Sequence, residues 1–407
     1  MKIKPALITR ALLSVALLTA MQTAMSAGFR LPEYSAYAVA TANAIVARDD
    51  ISATGVNPAA MGFLSGTQVA VDVINLTYDL EVTTTSNNKK THNAGEDSFI
   101  IPGLAISSRI NKDWTAGFNV NAPFGLETKW PEDTFPAFNS VATIEPALSK
   151  IEMVNYNPNI AYKLDDNTSI ALGLDYYEVR DLQFNTHTVN INGKGDGLGW
   201  NAALQSQYDD FAVGISYRHS VGTTLTGNYA STATVPVRAN LNFPSMLQIG
   251  MQYKISKQMA FEFDYERVGW SSFSKLDIVN SSTGSLQTST TNNWRDSNGY
   301  RSNLQVKLSA KSELNFGLAY DESPQTDDYF SARISDSDRV LYSLGYRYTF
   351  DTITFDMGYM RVDFKERNVN SSNTYAFPTG EPNGTTVYNG TYNAQADLFG
   401  IGLSVKF

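Results

Sequence analysis

The side chains that could carry out acid–base or nucleophilic chemistry are few in this sequence. It contains three histidines, His92, His187 and His219, and no cysteine. Only His219 adjoins a serine, Ser220, and neighbouring residues of a strand point to opposite faces, so these two cannot form a catalytic pair. Without thiolates, a zinc site of the cysteine type is excluded as well. The sequence therefore predicts a protein that is not an enzyme and has no metal or cofactor.

Pro123 and Gly125 point to a structural irregularity rather than to a reaction. Both lie, with Phe124 between them, in a segment (114–126) that otherwise has the character of a strand. Proline cannot donate to a strand ladder, and glycine weakens or bends a strand. In the wall of a closed sheet, such a local break in hydrogen bonding can become a hole. The alternative is that Pro123 only marks the upper end of its strand.

Asn57, Pro58 and Ala59 form a second irregular point. The dipeptide Asn-Pro favours the start of a turn, and a simple turn is one interpretation. The functional interpretation places this turn beside the break at Pro123 and Gly125, where its small residues would leave space.

The composition narrows the class of protein. Charged residues make up 17% of the 407 residues, hydrophobic residues 43% and aromatic residues 12%. Soluble domains carry about a quarter charged residues, so polar uncharged residues have replaced charged ones here. The net charge of -9 argues against a nucleic-acid partner, because binding to phosphates requires a basic face.

The N-terminus has the three parts of an export signal. Lys2, Lys4 and Arg10 form a basic start, and an apolar run (11–20) follows. This run is too short for a membrane-spanning helix, and small residues follow it. We expect residues 1–26 to be a cleaved signal peptide and the mature chain to begin at Ala27. A buried N-terminal helix is the alternative.

Alternation of apolar and polar residues predicts β-strands through the rest of the chain. The C-terminal strand is the clearest, since its apolar residues recur at every second position while small or polar residues occupy the positions between them. The apolar series is Phe399, Ile401, Leu403, Val405 and Phe407. Such a pattern suits a barrel strand with one face toward lipid, and also an edge strand of a soluble sandwich.

The lengths of the connections favour the barrel. Short turns alternate along the chain with longer polar stretches, as in outer-membrane barrels, which have short periplasmic turns and long extracellular loops. The short turns are expected at 110–113, 165–167, 209–210, 256–257, 310–311 and 350–351. The longer stretches are expected at 85–98, 127–149, 185–196, 228–236, 280–298, 321–338 and 368–391. The fold class is therefore all-β, a transmembrane antiparallel barrel of about 14 strands (67–407), an even number as such barrels require.

The segment that precedes the first strand has a different character. Residues 27–66 are rich in alanine and show no strand alternation, and short helices are plausible within 35–47. A barrel of this width leaves an open lumen unless something fills it. We therefore expect residues 27–66 to form an N-terminal plug, or hatch, inside the lumen.

Several motifs together resemble the long-chain fatty acid transporter (FadL) family, and the resemblance covers nearly the whole mature chain. Each motif is weak alone, but their number and order are specific. They lie at 27–31, 47–50, 57–61, 121–126, 243–247, 269–273, 317–324 and 335–339. A terminal phenylalanine such as Phe407 also resembles the signal by which the barrel assembly machinery recognises outer-membrane proteins.

The resemblance implies a monomeric barrel in the bacterial outer membrane that takes up hydrophobic molecules, above all long-chain fatty acids. It implies an apolar pocket on the extracellular side and lateral release into outer-membrane lipid through a kink in the third strand. Uptake of aromatic hydrocarbons, a general porin and an adhesin are the alternatives. The sequence departs from the family where Trp130 is followed by Pro131, Glu132 and Asp133 instead of an arginine-containing stretch.

The resemblance also suggests roles for individual residues. Phe29 would reach into the ligand pocket, while the sites at 57–59 and 123–125 would gate the exit. A carboxylate headgroup needs arginine or lysine nearby, because hydrogen bonds between charged groups are the strong ones. Arg218, Lys307 and Arg347 are candidates by their expected inward orientation, although pairing with acidic residues in the lumen is the alternative for each.

Overall fold

Fourteen antiparallel strands form a closed barrel within the part of the chain that the computed structural model describes, residues 28–138, 145–373 and 385–407. The predicted signal peptide lies outside these residues. Closure is made by β1, which pairs with the last strand from Gln68 opposite Lys406 to Thr84 opposite Gly390. The predicted all-β barrel is confirmed, and the soluble sandwich is excluded.

The strands follow one another around the barrel in chain order, and several consist of two segments. Their bounds are β1 Thr67–Thr84, β2 Lys90–His92 and Ser98–Arg109, β3 Trp114–Asn121 and Gly125–Lys129, β4 Pro146–Lys163, β5 Thr168–Thr186, β6 Asn190–Gln207 and β7 Phe211–Arg218 and Val221–Ala230. They continue with β8 Thr234–Phe243 and Met246–Lys254, β9 Met259–Val268 and Lys275–Asn280, β10 Leu286–Thr291 and Ser297–Lys307, β11 Ser312–Asp321, β12 Arg339–Phe350, β13 Ile353–Phe364 and Arg367–Val369, and β14 Gly390–Lys406.

The six predicted short turns all join strands at one end of the barrel. Two of the predicted longer stretches, at 185–196 and 228–236, are mostly strand, because β5, β6, β7 and β8 extend toward the long loops and leave short connections there. Small and polar residues prevail in these two places, and isolated apolar residues such as the buried Ile191 are too few to produce a visible alternation. The prediction of loops at these two places is wrong for that reason.

The outer face of the barrel is apolar where it meets lipid. In β14, Phe399, Ile401, Leu403 and Phe407 are exposed, as the alternation predicts. Val405 has the same parity but is only 6% exposed. It pairs with Val69 of β1 on one side and with Ile353 of β13 on the other.

The N-terminal segment, residues 28–66, is almost entirely buried against the inner face of the barrel. Its one α-helix, α1, covers Ala36–Ala40 and begins after Ser35, whose hydroxyl accepts a hydrogen bond from the amide of Ala38 at 3.1 Å. Short 3-10 turns follow at Ile51–Ala53 and Pro58–Phe63. The expected short helix within 35–47 is thus present.

Glycines on the inward face of the barrel form the seat for α1. A Cβ atom added to Gly345 would lie 2.2 Å from the Cβ of Ala40, and one added to Gly358 would lie 2.7 Å from the carbonyl oxygen of Ala36. Gly400 is as close, since its Cβ would lie 2.9 Å from the Cα of Ala36. The small inward residues that alternate with apolar ones in β12, β13 and β14 therefore make room for a helix in direct contact with the wall.

This seat predicts that Gly358→Val displaces the N-terminal segment without unfolding the barrel. Valine is well suited to a strand, but its side chain would occupy the space of α1. We expect higher ion conductance in planar bilayers and faster hydrogen exchange in residues 36–40.

Gly222→Val is the matched control, because a Cβ at Gly222 meets only the side-chain oxygen of Asn242, at 3.2 Å. Heat-modifiable migration on gels reports the folded barrel. Wild-type conductance and protection in a folded Gly358→Val barrel would contradict the assignment of this seat.

Candidate functional site

The third strand is broken where the sequence predicted a break. Its first segment ends at Asn121 and its second begins at Gly125. Pairing with β2 stops at Leu104 opposite Val120, whereas pairing with β4 resumes at Gly125 opposite Glu152. The upper part of β2 therefore lacks its neighbour on this side, and the wall is interrupted between β2 and β3.

The upper segment of β3 is set back from the lipid-facing surface. Every residue from 121 to 128 is buried, including those whose parity would place them on the outside. Above the interruption the two strands are joined again, because the amide of Ala94 donates to the carbonyl of Lys129 at 2.7 Å. We call the interruption between these two closures, bordered by 100–103 in β2 and 121–126 in β3, the wall break.

The N-terminal segment pairs with β3 at this break. The amide of Leu31 donates to the carbonyl of Pro123, and the amide of Gly125 donates to the carbonyl of Phe29, both at 2.8 Å. Arg30 lies opposite Phe124 in an isolated antiparallel bridge. Unpaired backbone groups are costly in a bilayer, so these bonds stabilise the interruption from the inside.

Five aromatic rings surround the side chain of Phe29, which is completely buried. The nearest is Trp270, with ring centroids 4.6 Å apart. We call this set the aromatic cage; its members are Phe124, Phe243, Trp270, Phe273 and Trp294. Tilted and edge-to-face contacts of this kind stabilise a ring by about 0.5–1.5 kcal/mol per pair beyond the burial of its area. The cage is thus an apolar space that the protein fills with its own phenylalanine.

Gly28 approaches the same cage with its backbone. Its φ angle is +68°, and a Cβ atom there would lie 2.7 Å from the ring of Trp270. Its amide donates to a carboxylate oxygen of Asp336 at 3.1 Å. Both the left-handed conformation and the lack of space require glycine at this position.

Buried charges hold the next residue of the chain. Arg30 forms a salt bridge with Glu266 at 2.5 Å, and Glu266 also pairs with Arg301 at 2.7 Å. Arg301 in turn pairs with Asp321 at 2.8 Å. All four side chains are buried. Removing one partner from such a set leaves an uncompensated charge, so the network fixes the position of the N-terminal segment.

The lumen changes from polar to apolar toward the extracellular end. Along β1 the inward-facing residues include Ala70, which is buried, and then Asp72, which accepts a hydrogen bond from the amide of Ala36 at 2.8 Å. Above it they are apolar without interruption and buried, in the order Ile74, Leu76, Tyr78, Leu80 and Val82. Porins have a polar interior, so this lumen suits an apolar solute instead.

Aromatic residues from the extracellular loops close the top of this apolar space. Trp130 is buried and donates from its indole nitrogen to the carbonyl of Ala332 at 2.8 Å. Phe135 lies 5.5 Å from the Trp130 ring and 5.3 Å from the ring of Tyr388. Three separate loops thus meet over the lumen. The sequence around Trp130 does not predict this position at the top of the lumen.

Asn57, Pro58 and Ala59 lie against other strands than those that border the break. The Asn57 side chain caps a 3-10 helix by accepting from the amide of Ala59 at 3.0 Å, and it donates to the carbonyls of Val46 and Leu204. Ala59 packs with alanines of β4, β5 and β6. Besides residues 29–31, the N-terminal residues in contact with the edge of the break are Tyr34, which approaches Gly103, and Gly55, which approaches Asn121. The gating role of 57–59 stays a prediction.

Arg218 and Arg347 face inward as predicted, and acidic side chains already bind both. Arg218 pairs with Asp175 and also donates to the carbonyl of Gly55. Arg347 pairs with Asp356 at 2.6 Å and with Asp50 of the N-terminal segment at 2.5 Å. These contacts favour the alternative interpretation, in which the two arginines anchor the N-terminal segment.

Lys307 lies away from the apolar lumen, and its role as a headgroup contact stays a prediction. Its parity in β10 matches that of buried Arg301 and Asn303, but it is the last residue of the strand and is exposed beside a short turn. Its amide donates to the carbonyl of Gln258 in the neighbouring turn at 2.7 Å. Alternation predicted the face correctly and could not predict the depth, and at this end the lysine is far from the apolar lumen.

The pKa of Asp50 reflects its ion pair with Arg347. Burial disfavours its charge, but the Arg347 guanidinium and the hydrogen bonds from Ser52 outweigh burial and hold the pKa of Asp50 below its ordinary value. A second pair, Arg48 with Glu262, attaches the same stretch to β9. The N-terminal segment is therefore fixed to the wall on more than one side.

A closed barrel with a lipid-facing exterior, an inner N-terminal segment and an apolar extracellular half defines an outer-membrane transport protein. The chain belongs to the family described as outer membrane protein transport protein (OMPP1/FadL/TodX), whose model matches residues 16–407. The family consists of outer-membrane transport channels for hydrophobic compounds and not of enzymes, and the chain is a transporter of this class.

Individual relatives agree with this assignment. Outer membrane protein P1 of Haemophilus influenzae is 26% identical, with 98% of this chain and 99% of that protein covered. The long-chain fatty acid transport protein of Escherichia coli O6:H1 is 24% identical over the same shares. A Pseudomonas aeruginosa FadL homologue of known structure has a TM-score of 0.78 at 17% identity, with 94% and 100% covered. The Ralstonia pickettii toluene transporter TbuX has a TM-score of 0.68 at 14% identity, with 92% and 98% covered. At these identities the two structures support the fold alone.

The anchoring role predicts different results for substitutions at Arg347 and Lys307, two cations that alternation assigns to the same inward face. Arg347→Gln leaves Asp50 and Asp356 without their counter-ion, and breaking a buried pair costs about 3–5 kcal/mol. We expect faster hydrogen exchange in residues 48–54. Lys307→Gln is the control and should change nothing, because this lysine is exposed. Equal exchange in wild type and Arg347→Gln would rule out the anchor.

Proposed function

We propose that the protein takes up long-chain fatty acids, binds them in the apolar extracellular half of the lumen and releases them sideways through the wall break. The aromatic cage around Phe29 is the observation that carries this proposal. It is buried, lined by rings and continuous with the apolar residues of β1, and among the described residues the side chain that it encloses is Phe29, close to the predicted start of the mature chain.

The cage supports a mechanism in which the ligand competes with Phe29. An acyl chain in the cage would gain the contacts that the ring now makes, so the N-terminal residues need to withdraw for the ligand to bind. Their withdrawal also removes the hydrogen bonds to Pro123 and Gly125, which cover the wall break from inside. Binding and opening would then be one event.

The cost of hydration favours the sideways route. Moving each CH₂ group from an apolar site to water costs about 0.8 kcal/mol, or roughly 8 kcal/mol for ten carbons. A route straight down the barrel leads through the polar half of the lumen, where buried charges fix the N-terminal segment. Release into the bilayer avoids both obstacles.

Closing the wall break should stop transport and leave capture intact. Pro123→Val together with Gly125→Val restores residues that suit a continuous strand and the amide that proline lacks. We expect fatty acid uptake to fall at least tenfold in a strain without its own transporter, while binding to the purified protein persists.

Pro158→Val is the matched control, because Pro158 lies exposed in the neighbouring β4, opposite Phe118 and below the break. It should transport at the wild-type rate. If the double variant folds, has a continuous β3 and still transports normally, the lateral route is wrong. Transport of toluene without transport of fatty acids in the wild type would instead favour aromatic hydrocarbons as the ligand class.

A further inference from the structure

Arg339 is a buried cation whose hydrogen-bond donors are not used. It is the first residue of β12, pairs in register with Phe364 of β13 and is 1% exposed. Among the described residues, none accepts a hydrogen bond from any of its three guanidinium nitrogens. The nearest carboxylate oxygens, those of Asp336 and Asp321, are 3.6 and 3.8 Å away.

Other donors bind each of the two neighbouring acids through one oxygen only, while the second oxygen faces Arg339 and has no hydrogen-bond partner among the described residues. Asp336 accepts from the hydroxyl of Ser323 at 2.7 Å and from the amide of Gly28, and Asp321 accepts from Arg301 at 2.8 Å. An arginine carries five N–H donors in a planar fork that matches a carboxylate. Leaving charged donors unmet in a buried site is costly, and a fold retains such a group where an acceptor arrives from outside.

A second unused donor lies beside the guanidinium. The hydroxyl of Tyr78 is buried and has no partner among the described residues. Both side chains contact the same ring, since the Tyr78 ring lies 6.0 Å from that of Phe364 and the guanidinium carbon of Arg339 lies 5.0 Å from its centroid. Two polar donors without hydrogen-bond partners thus contact the same aromatic ring.

This point adjoins the position that the N-terminal residues fill. Asp336 contacts Arg339 on one side and the amide of Gly28 on the other, and Gly28 directly precedes Phe29. A ligand with its chain in the aromatic cage would therefore have its polar end near Asp336, within reach of the Arg339 guanidinium.

We propose that Arg339, assisted by the Tyr78 hydroxyl, binds the carboxylate of an amphiphilic ligand and makes the channel selective for fatty acids over neutral hydrocarbons. The inference rests on the proposed binding of ligand in the lumen and is independent of the exit route. A carboxylate accepts two parallel N–H bonds from the guanidinium. A neutral chain leaves the same donors unmet, as they are in the ligand-free protein.

The test compares two probes of equal chain length, palmitate and hexadecanol, bound to the full-length mature protein in nanodiscs. Arg339→Gln should weaken palmitate at least tenfold and change hexadecanol by less than twofold. Tyr78→Phe should act in the same direction with a smaller loss, and Arg339→Lys should retain part of the affinity. Arg361→Gln, at an outward-facing arginine of β13 that pairs with Asp363 and Asp397, should bind both probes as the wild type does.

The outcomes distinguish the role of Arg339 from the proposed function on which it rests. Unchanged palmitate affinity in Arg339→Gln, or equal loss for both probes, would overturn the role of Arg339. Failure of the wild type to bind either probe would overturn the proposed function itself. If Arg339→Gln does not reach the heat-modifiable folded state, Tyr78→Phe decides by the same ratio of affinities, because it removes only one hydroxyl.

Discussion

Pairing of backbone polar groups in a medium without water is the constraint on which the rest of this structure depends. A membrane strand has no solvent to satisfy an interrupted ladder, so a break is tolerated only where other protein groups supply the missing bonds. Here Leu31 and Phe29 supply them to Pro123 and Gly125. The interruption in β3 and the ordered N-terminal residues are therefore two parts of one arrangement, and neither would be stable in this form without the other.

The same residues that complete the wall also place a ring in the aromatic cage. Backbone pairing fixes the direction of the short stretch at 29–31, and the alternation of its side chains sends Phe29 toward Trp270 while Arg30 reaches Glu266. Under the proposed function, an apolar ligand and the intact wall would compete for one short piece of chain. The coupling requires no long-distance signal, because the competing contacts are made by adjacent residues.

The sequence predicted the parts of this arrangement that follow from local rules. Alternation of apolar and polar residues predicted the strands, and the spacing of short turns predicted their number. Pro123 with Gly125 predicted the break in β3. The aromatic cage follows from no such rule. Its rings come from β3, β8, β9 and β10, and they lie at or beside the points where these four strands are interrupted, near Pro123, Pro244, Gly269 and Trp294. Alternation also predicts only the face of a strand on which a residue lies and not its depth in the membrane. It therefore does not reveal that Lys307 lies at the short-turn end of β10 or that Arg339 lies at the extracellular end of β12.

Under the proposed function, the division of the lumen into a polar and an apolar half determines the direction in which a solute moves. On the polar side, ion pairs such as Arg347 with Asp50 and close contacts such as Ala40 with Gly345 hold the N-terminal segment to the wall. On the apolar side, the Phe29 ring, two backbone hydrogen bonds to β3 and the buried pair of Arg30 with Glu266 hold residues 28–31. Under the proposed function, a solute that arrives from outside meets these residues first. Their displacement would expose the wall break toward lipid, so the proposed path turns outward there.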